Sequence, residues 1–231
     1  LIRSYSESIS RFLLEQNVKS IVIACNTASA VAGSVIQKLA APVPVFEVIT
    51  PAVDTALTKS PTRRIGVIGT KTTIQTHVYL KTILERAPDA FVIEKATPLL
   101  VPMIEEGWFQ NKISNEIIEA YMSDTGFRHI DTLILGCTHY PLIQEPIREY
   151  FQKQNTFPVQ VIDSSQAVAN TLKQFMQEHQ MFSDDESGTI TCWVSDFTEH
   201  FQQTAAIFFG DKISLHQIDP DKDTVRLKTG I

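Results

Sequence analysis

Cysteine is scarce in this chain. Its three residues, Cys25, Cys137 and Cys192, are an odd number and show no CxxC spacing. A disulfide framework does not arise from such a set. A structural zinc site, which ordinarily takes four ligands from closely spaced pairs, is disfavoured, and no metal is expected. Free thiols fit a reducing cytosol, so a cytoplasmic location is expected. Long apolar runs are lacking as well. None approaches the roughly 18–20 residues that span a membrane, and no signal-peptide pattern is present. Positive charge is in short supply, with 20 Lys and Arg against 26 Asp and Glu, a net charge of −6 and no basic block. General affinity for nucleic acid finds no support in that balance.

What is present is 231 residues, 43% of them hydrophobic. That suffices for a sizeable core, in one domain or two small ones. Apolar spacing predicts a helix from Tyr5 to Gln16 with Tyr5, Ile9, Phe12 and Leu13 on one face. Short apolar strands follow at 21–24, 45–49, 65–69, 91–96, 133–136 and 159–162, each succeeded by an amphipathic stretch. Thr50-Pro51 reads as an N-cap and first helical position, and Asp163-Ser164-Ser165 as a cap. Near the C-terminus a half-exposed strand is predicted at 189–194, a helix at 197–209 and a last strand at 213–218. Strand and helix alternate almost throughout. The expected fold class is therefore α/β, with parallel, doubly wound sheets that carry helices on both faces. A polar break at 59–62 marks a first boundary.

Ligands in such folds bind at the carboxyl ends of strands. Cys25, Thr70 and Cys137 all fall there. Ile21 to Ser29 (IVIACNTAS) and Leu133 to Pro141 (LILGCTHYP) share one plan: apolar strand, small residue, Cys, polar residues, helix. Gly136 permits close backbone approach just before the second thiol. A free Cys is most often a small buried hydrophobe. Two in matching polar contexts are harder to read as filler. One option is a single Cys–His nucleophile, with His139 tuning Cys137. That leaves Cys25 unexplained. A reaction with two mirror-related proton transfers uses both thiols and needs no cofactor: one thiolate removes a Cα proton while a thiol delivers one to the opposite face.

The motifs ACNTAS (24–29) and GCTHYPL (136–142) resemble the two signatures of the bacterial glutamate racemases, within the aspartate/glutamate racemase family. IGVIGTKTT (65–73), VPMIEEG (101–107) and IDSSQAVA (162–169) extend the resemblance over nearly the whole chain. The resemblance implies two α/β domains facing each other with the active site between them, built from residues 1–50 plus 159–231 and from 51–158. It implies cofactor-independent interconversion of L- and D-glutamate for peptidoglycan. Catalytic roles fall on Cys25, Cys137, His139 and Glu105; substrate contacts fall on Asn26, Thr27, Thr138, His139, Thr70 and Thr73. Plainer roles exist for the supporting residues: Thr27, Thr70 and Thr73 as caps, Glu105 as a solvated charge, His139 as a backbone anchor. Cys192 reads as packing and Glu106 as solvated. The implied partners are glutamate, a cell-wall precursor as activator, and a second copy in a homodimer. The family's Asp-Ser-Gly strand and Tyr-Gly loop, which supply a partner for the first thiol, do not occur in this sequence and would precede Leu1. A preceding segment is accordingly expected. Rival readings are an aspartate racemase, a related Cys-dependent enzyme, or a form that only binds ligand.

Overall fold

Parallel strands and covering helices form the frame of the computed structural model, which describes residues 1–109, 111–154, 157–183, 188–196, 198, 205 and 215–218. Helix α1 (Ile2–Glu15) leads into β1 (Ile21–Ile23), α2 (Asn26–Ala40), β2 (Val45–Glu47) and α3 (Ile49–Lys59). Strands β1 and β2 pair in parallel, Ile23 opposite Glu47. A second sheet takes β3 (Arg64–Gly69), β4 (Phe91–Ala96), β5 (Thr132–Gly136) and β6 (Gln160–Asp163) in the order β4-β3-β5-β6, all parallel. Its crossovers carry α4 (Lys71–Gln75), α5 (Val78–Arg86), α6 (Leu100–Glu105), α7 (Lys112–Met122) and α8 (Gln144–Gln154), and α9 (Ser164–Glu178) follows β6. Strands β7 (Cys192–Val194) and β8 (Leu215–Gln217) form a further parallel pair. Apart from residues 198 and 205, the helix expected at 197–209 lies outside the described residues.

Period-two alternation in a doubly covered sheet supplies two cores. Leu133 and Leu135 face one way, toward Phe127, Ile118, Ile147 and Phe151. Ile134, Ile65 and Val67 face the other, toward Val53, Ala56, Ile83 and Val168. Each such side chain contributes about 1.5–3 kcal/mol on full burial.

Two expectations need correction. Residues 160–163 were expected with the unit of residues 1–50, but β6 hydrogen-bonds to β5 and so belongs to the four-stranded sheet. A strand returning from a covering helix commonly docks beside its predecessor. Thr50 does not cap α3. Glu47 does, accepting from the Ile49 and Thr50 N–H groups at 2.7 and 2.9 Å. Helix α1 forms, yet Tyr5 and Ile9 stay about half exposed while Phe12 packs edge-on against Trp193.

The polar break at 59–62 is tied down at Asp131, beside the start of β5. This buried carboxylate accepts from the Ser60 hydroxyl, from the Thr62 N–H and hydroxyl at 2.7 and 2.6 Å, and from the Thr132 hydroxyl at 2.9 Å. Burial alone would raise its pKa; the donors together outweigh that and hold it below the usual carboxylate range. Asp131→Ala orphans these donors and should cost about 3 kcal/mol at neutral pH. A depressed carboxyl contributes stability above its unfolded pKa and loses it as pH falls through the folded value. Urea unfolding at pH 7 and again near pH 3 should therefore show the gap between parent and variant closing in acid.

Candidate active site

Cys25 ends the turn after β1 and is the N-cap of α2. Its Sγ accepts from the Ala28 N–H at 3.5 Å. The cap is thus the thiol and not Thr27, whose plainer expected role was that cap. Freed from capping, the Thr27 hydroxyl reaches across to the four-stranded sheet. It lies 3.0 Å from the hydroxyls of both Thr70 and Thr73, which are themselves 3.0 Å apart. Thr70 also caps α4 through the Thr73 N–H at 3.2 Å, so its turn role and its place in this triangle coexist.

Cys137 follows β5, where Gly136 sits opposite Gly69 in register. A Cβ on Gly136 would lie 2.7 Å from the Ile68 carbonyl oxygen, so only glycine fits. The Cys137 side chain is 6% exposed. Burial pushes its thiol up to about 11. The His139 N–H and the Thr138 hydroxyl oppose the rise, while negative charge at Cys25 and Glu105 adds to it. Both thiols therefore lie within electrostatic reach of each other. His139 Nδ1 is 3.8 Å from Cys137 Sγ, and Nε2 is 3.2 Å from Glu105 Oε1. Thiol, imidazole and carboxylate stand in a chain, with Glu105 delivered by the last turn of α6. Glu106 points to solvent, as expected.

Asn26 is brought to the same place but buried, 2% exposed. Its Oδ1 accepts from the Tyr79 hydroxyl at 2.5 Å and its Nδ2 donates to Ser164 Oγ at 3.3 Å. Ser164 in turn donates to the Leu135 carbonyl at 3.1 Å. Tyr79 and Ser164 are residues that sequence reasoning missed. Ser164 is not part of the cap: Asp163 alone accepts from the first-turn amides of α9. Tyr140 and Thr97 form a second buried pair, at 2.6 Å, beside the Cys137 turn. Cys192 is half buried in β7. Among the described residues no group of three or more His, Cys, Asp or Glu is disposed to hold a metal ion. A cavity of about 540 Å³ lined by Lys59, Arg64, His129, Asp131 and Phe157 opens at the opposite, amino-terminal ends of the strands.

The model of the family described as Asp/Glu/Hydantoin racemase matches residues 5–172. The chain belongs to that family. Among curated relatives, glutamate racemase of Aquifex aeolicus is 40% identical over 209 residues, covering 90% of this chain and 76% of the relative. Among solved structures, glutamate racemase from Francisella tularensis in complex with D-glutamate superposes with a TM-score of 0.85 at 31% identity, covering 95% of this chain and 81% of that one. The Bacillus anthracis isoform RacE1 gives 0.87 at 29%, covering 96% and 82%. The α/β racemase fold expected from the sequence is thus shown for this family member. No helix among its described residues is long and apolar enough to cross a membrane.

Proposed function

We propose that this racemase-family chain interconverts L- and D-glutamate without a cofactor, with Cys25 and Cys137 exchanging protons with opposite faces of Cα. The observation that carries the reading is the thiol–imidazole–carboxylate chain ending on Cys137, with a second thiol in electrostatic reach across the Thr27–Thr70–Thr73 triangle. Relatives bearing the glutamate racemase name support the substrate.

At neutral pH the buried Cys137 carries its proton and begins as donor. Cys25 is exposed, with the Ala28 N–H aimed at its sulfur, and is the acceptor on the opposite face of Cα. The Cys25 thiolate takes the Cα hydrogen as a proton. The electron pair left on carbon then takes the Cys137 proton from the other face. One proton has moved from Cys137 to Cys25 and the substrate is inverted. The new Cys137 thiolate accepts from the His139 N–H and the Thr138 hydroxyl. His139 can bring it a proton, and Glu105 beside Nε2 supports the imidazolium. Thr27, Thr70, Thr73 and Thr138 hold the charged groups of glutamate, so that fixed donors meet the charge that develops at the carboxylate. Local donors are needed because the chain as a whole is acidic, at −6. The D-glutamate formed would serve peptidoglycan.

His139→Asn removes the imidazole and keeps the backbone donor. It should lower kcat/KM about 10²-fold at neutral pH. Cys137, pushed up to about 11, must then ionise unaided, so the rising limb of the pH–rate profile moves to higher pH. Two enantiomers have an equilibrium constant of one, so kcat/KM moves equally in both directions. Circular dichroism of L- and D-glutamate incubated with the protein, beside aspartate, tests the assignment. Loss of optical activity from both glutamates supports it. Racemisation of aspartate alone, or glutamate bound with its handedness kept, refutes it.

A further inference from the structure

Two thiols that pass protons to one carbon must be held at a fixed separation, because misplacing a reacting group by about 1 Å can cost 10²-fold in rate. The turns bearing them belong to different sheets, so neither sheet's own ladder sets that distance. A buried side chain lies against both turns. Tyr79, on α5, is fully buried. Its hydroxyl donates to Asn26 Oδ1 at 2.5 Å, and Asn26 directly follows Cys25. Its ring edge abuts Gly136, which directly precedes Cys137: a Cβ there would meet Tyr79 Cε2 at 3.3 Å. A parallel path runs from Asn26 Nδ2 to Ser164 Oγ at 3.3 Å and from Ser164 to the Leu135 carbonyl at 3.1 Å, two residues before Cys137.

We infer that Tyr79 is a positioning residue that sets the spacing of the Cys25 and Cys137 turns. A buried tyrosine needs some acceptor for its hydroxyl, and any carbonyl of its own core would serve. Here the acceptor is the residue beside one thiol, while the ring touches the residue beside the other. Burial pushes the phenol far above its ordinary range, so it stays a neutral donor throughout the working pH range. The inference rests on the reading of the two thiols as the reacting pair.

Tyr79→Phe keeps the ring and removes the hydroxyl. It should lower kcat about 10- to 10²-fold in both directions while KM stays within about threefold, the pattern of an interaction realised in the transition state. A residue that only fills the core would change stability and leave kcat alone. Because Tyr79 acts through Asn26, adding Tyr79→Phe to Asn26→Ala should cost less than about a further twofold, whereas independent sites would multiply their losses. Ser164→Ala cuts the parallel path, leaves the tyrosine intact and should show the same loss in kcat. It decides the matter if Tyr79→Phe does not fold. An active parent whose kcat is unmoved by Ser164→Ala and by a folded Tyr79→Phe overturns the inference alone. A folded parent that racemises nothing overturns the functional reading and the inference with it.

Discussion

Replacing either thiol by serine stops racemisation: Cys25→Ser and Cys137→Ser should each lower interconversion of the glutamate enantiomers by about 10³-fold or more, the scale of a lost general acid–base group. The hydroxyl is the same shape to within a few tenths of an ångström but a far weaker acid. The site stays built and its proton traffic fails. The two variants should fail differently. On the proposed mechanism Cys25 and Cys137 address opposite faces of Cα, so each surviving thiol still faces the hydrogen of one enantiomer. Cys137→Ser should exchange the Cα hydrogen of one glutamate with solvent and return it without inversion; Cys25→Ser should do the same to the other. On this account the exposed Cys25 sulfur should exchange its proton with water directly, and buried Cys137 through His139, 3.8 Å away. Proton NMR of each enantiomer in D₂O reads this. A variant that retains full racemisation removes its thiol from the mechanism.

Gly136→Ala should damage activity less than loss of a thiol and stability far more. The new Cβ would stand 2.7 Å from the Ile68 carbonyl oxygen and 3.3 Å from the Tyr79 ring. The carbonyl is backbone of β3, held in register with β5 on one side and β4 on the other, and has nowhere to retreat. Overpacking of this kind costs about 1–3 kcal/mol. In a chain of this size that lowers Tm by about 2–4 °C per kcal/mol. The strand must tilt to relieve the clash, and Cys137 is the next residue, so kcat should fall about 10²-fold on top of the stability loss. Gly33→Ala is the control. That glycine lies within α2, with nothing within 4 Å of an added Cβ. Alanine there should be neutral or stabilising by up to about 1 kcal/mol. Calorimetry and initial rates on both variants check the contrast.

The thiol-bearing turns were legible because a short apolar strand, a small residue and a cysteine form a local pattern that one window of sequence holds complete. So was the α/β class, from the alternation of strands and helices. The Cys137–His139 contact spans two residues, and Glu105 could be named only by resemblance. What escaped was non-local or depended on side-chain reach. Glu47 caps α3 by folding forward onto the Ile49 and Thr50 amides, a task that the Thr50-Pro51 signal assigns to Thr50. β6 could be seen as a strand, but its neighbour is chosen by the whole sheet. Asn26 was read as a substrate contact, and nothing near it in sequence shows that its amide is spoken for by Tyr79 and Ser164, residues 53 and 138 positions away. Tyr79 itself looks like one more aromatic on a helix's apolar face until the fold puts it against the residues next to both thiols.

The most direct test of two-thiol inversion follows deuterium at Cα. L-glutamate is incubated with the protein in D₂O, and proton NMR follows Cα of substrate and product from the earliest turnovers. Inversion by two separate groups predicts that the D-glutamate formed carries deuterium from the start, while the L-glutamate that remains keeps its hydrogen. Product that retains the original hydrogen, or substrate that exchanges as fast as product appears, would mean that one group serves both faces, and would contradict it.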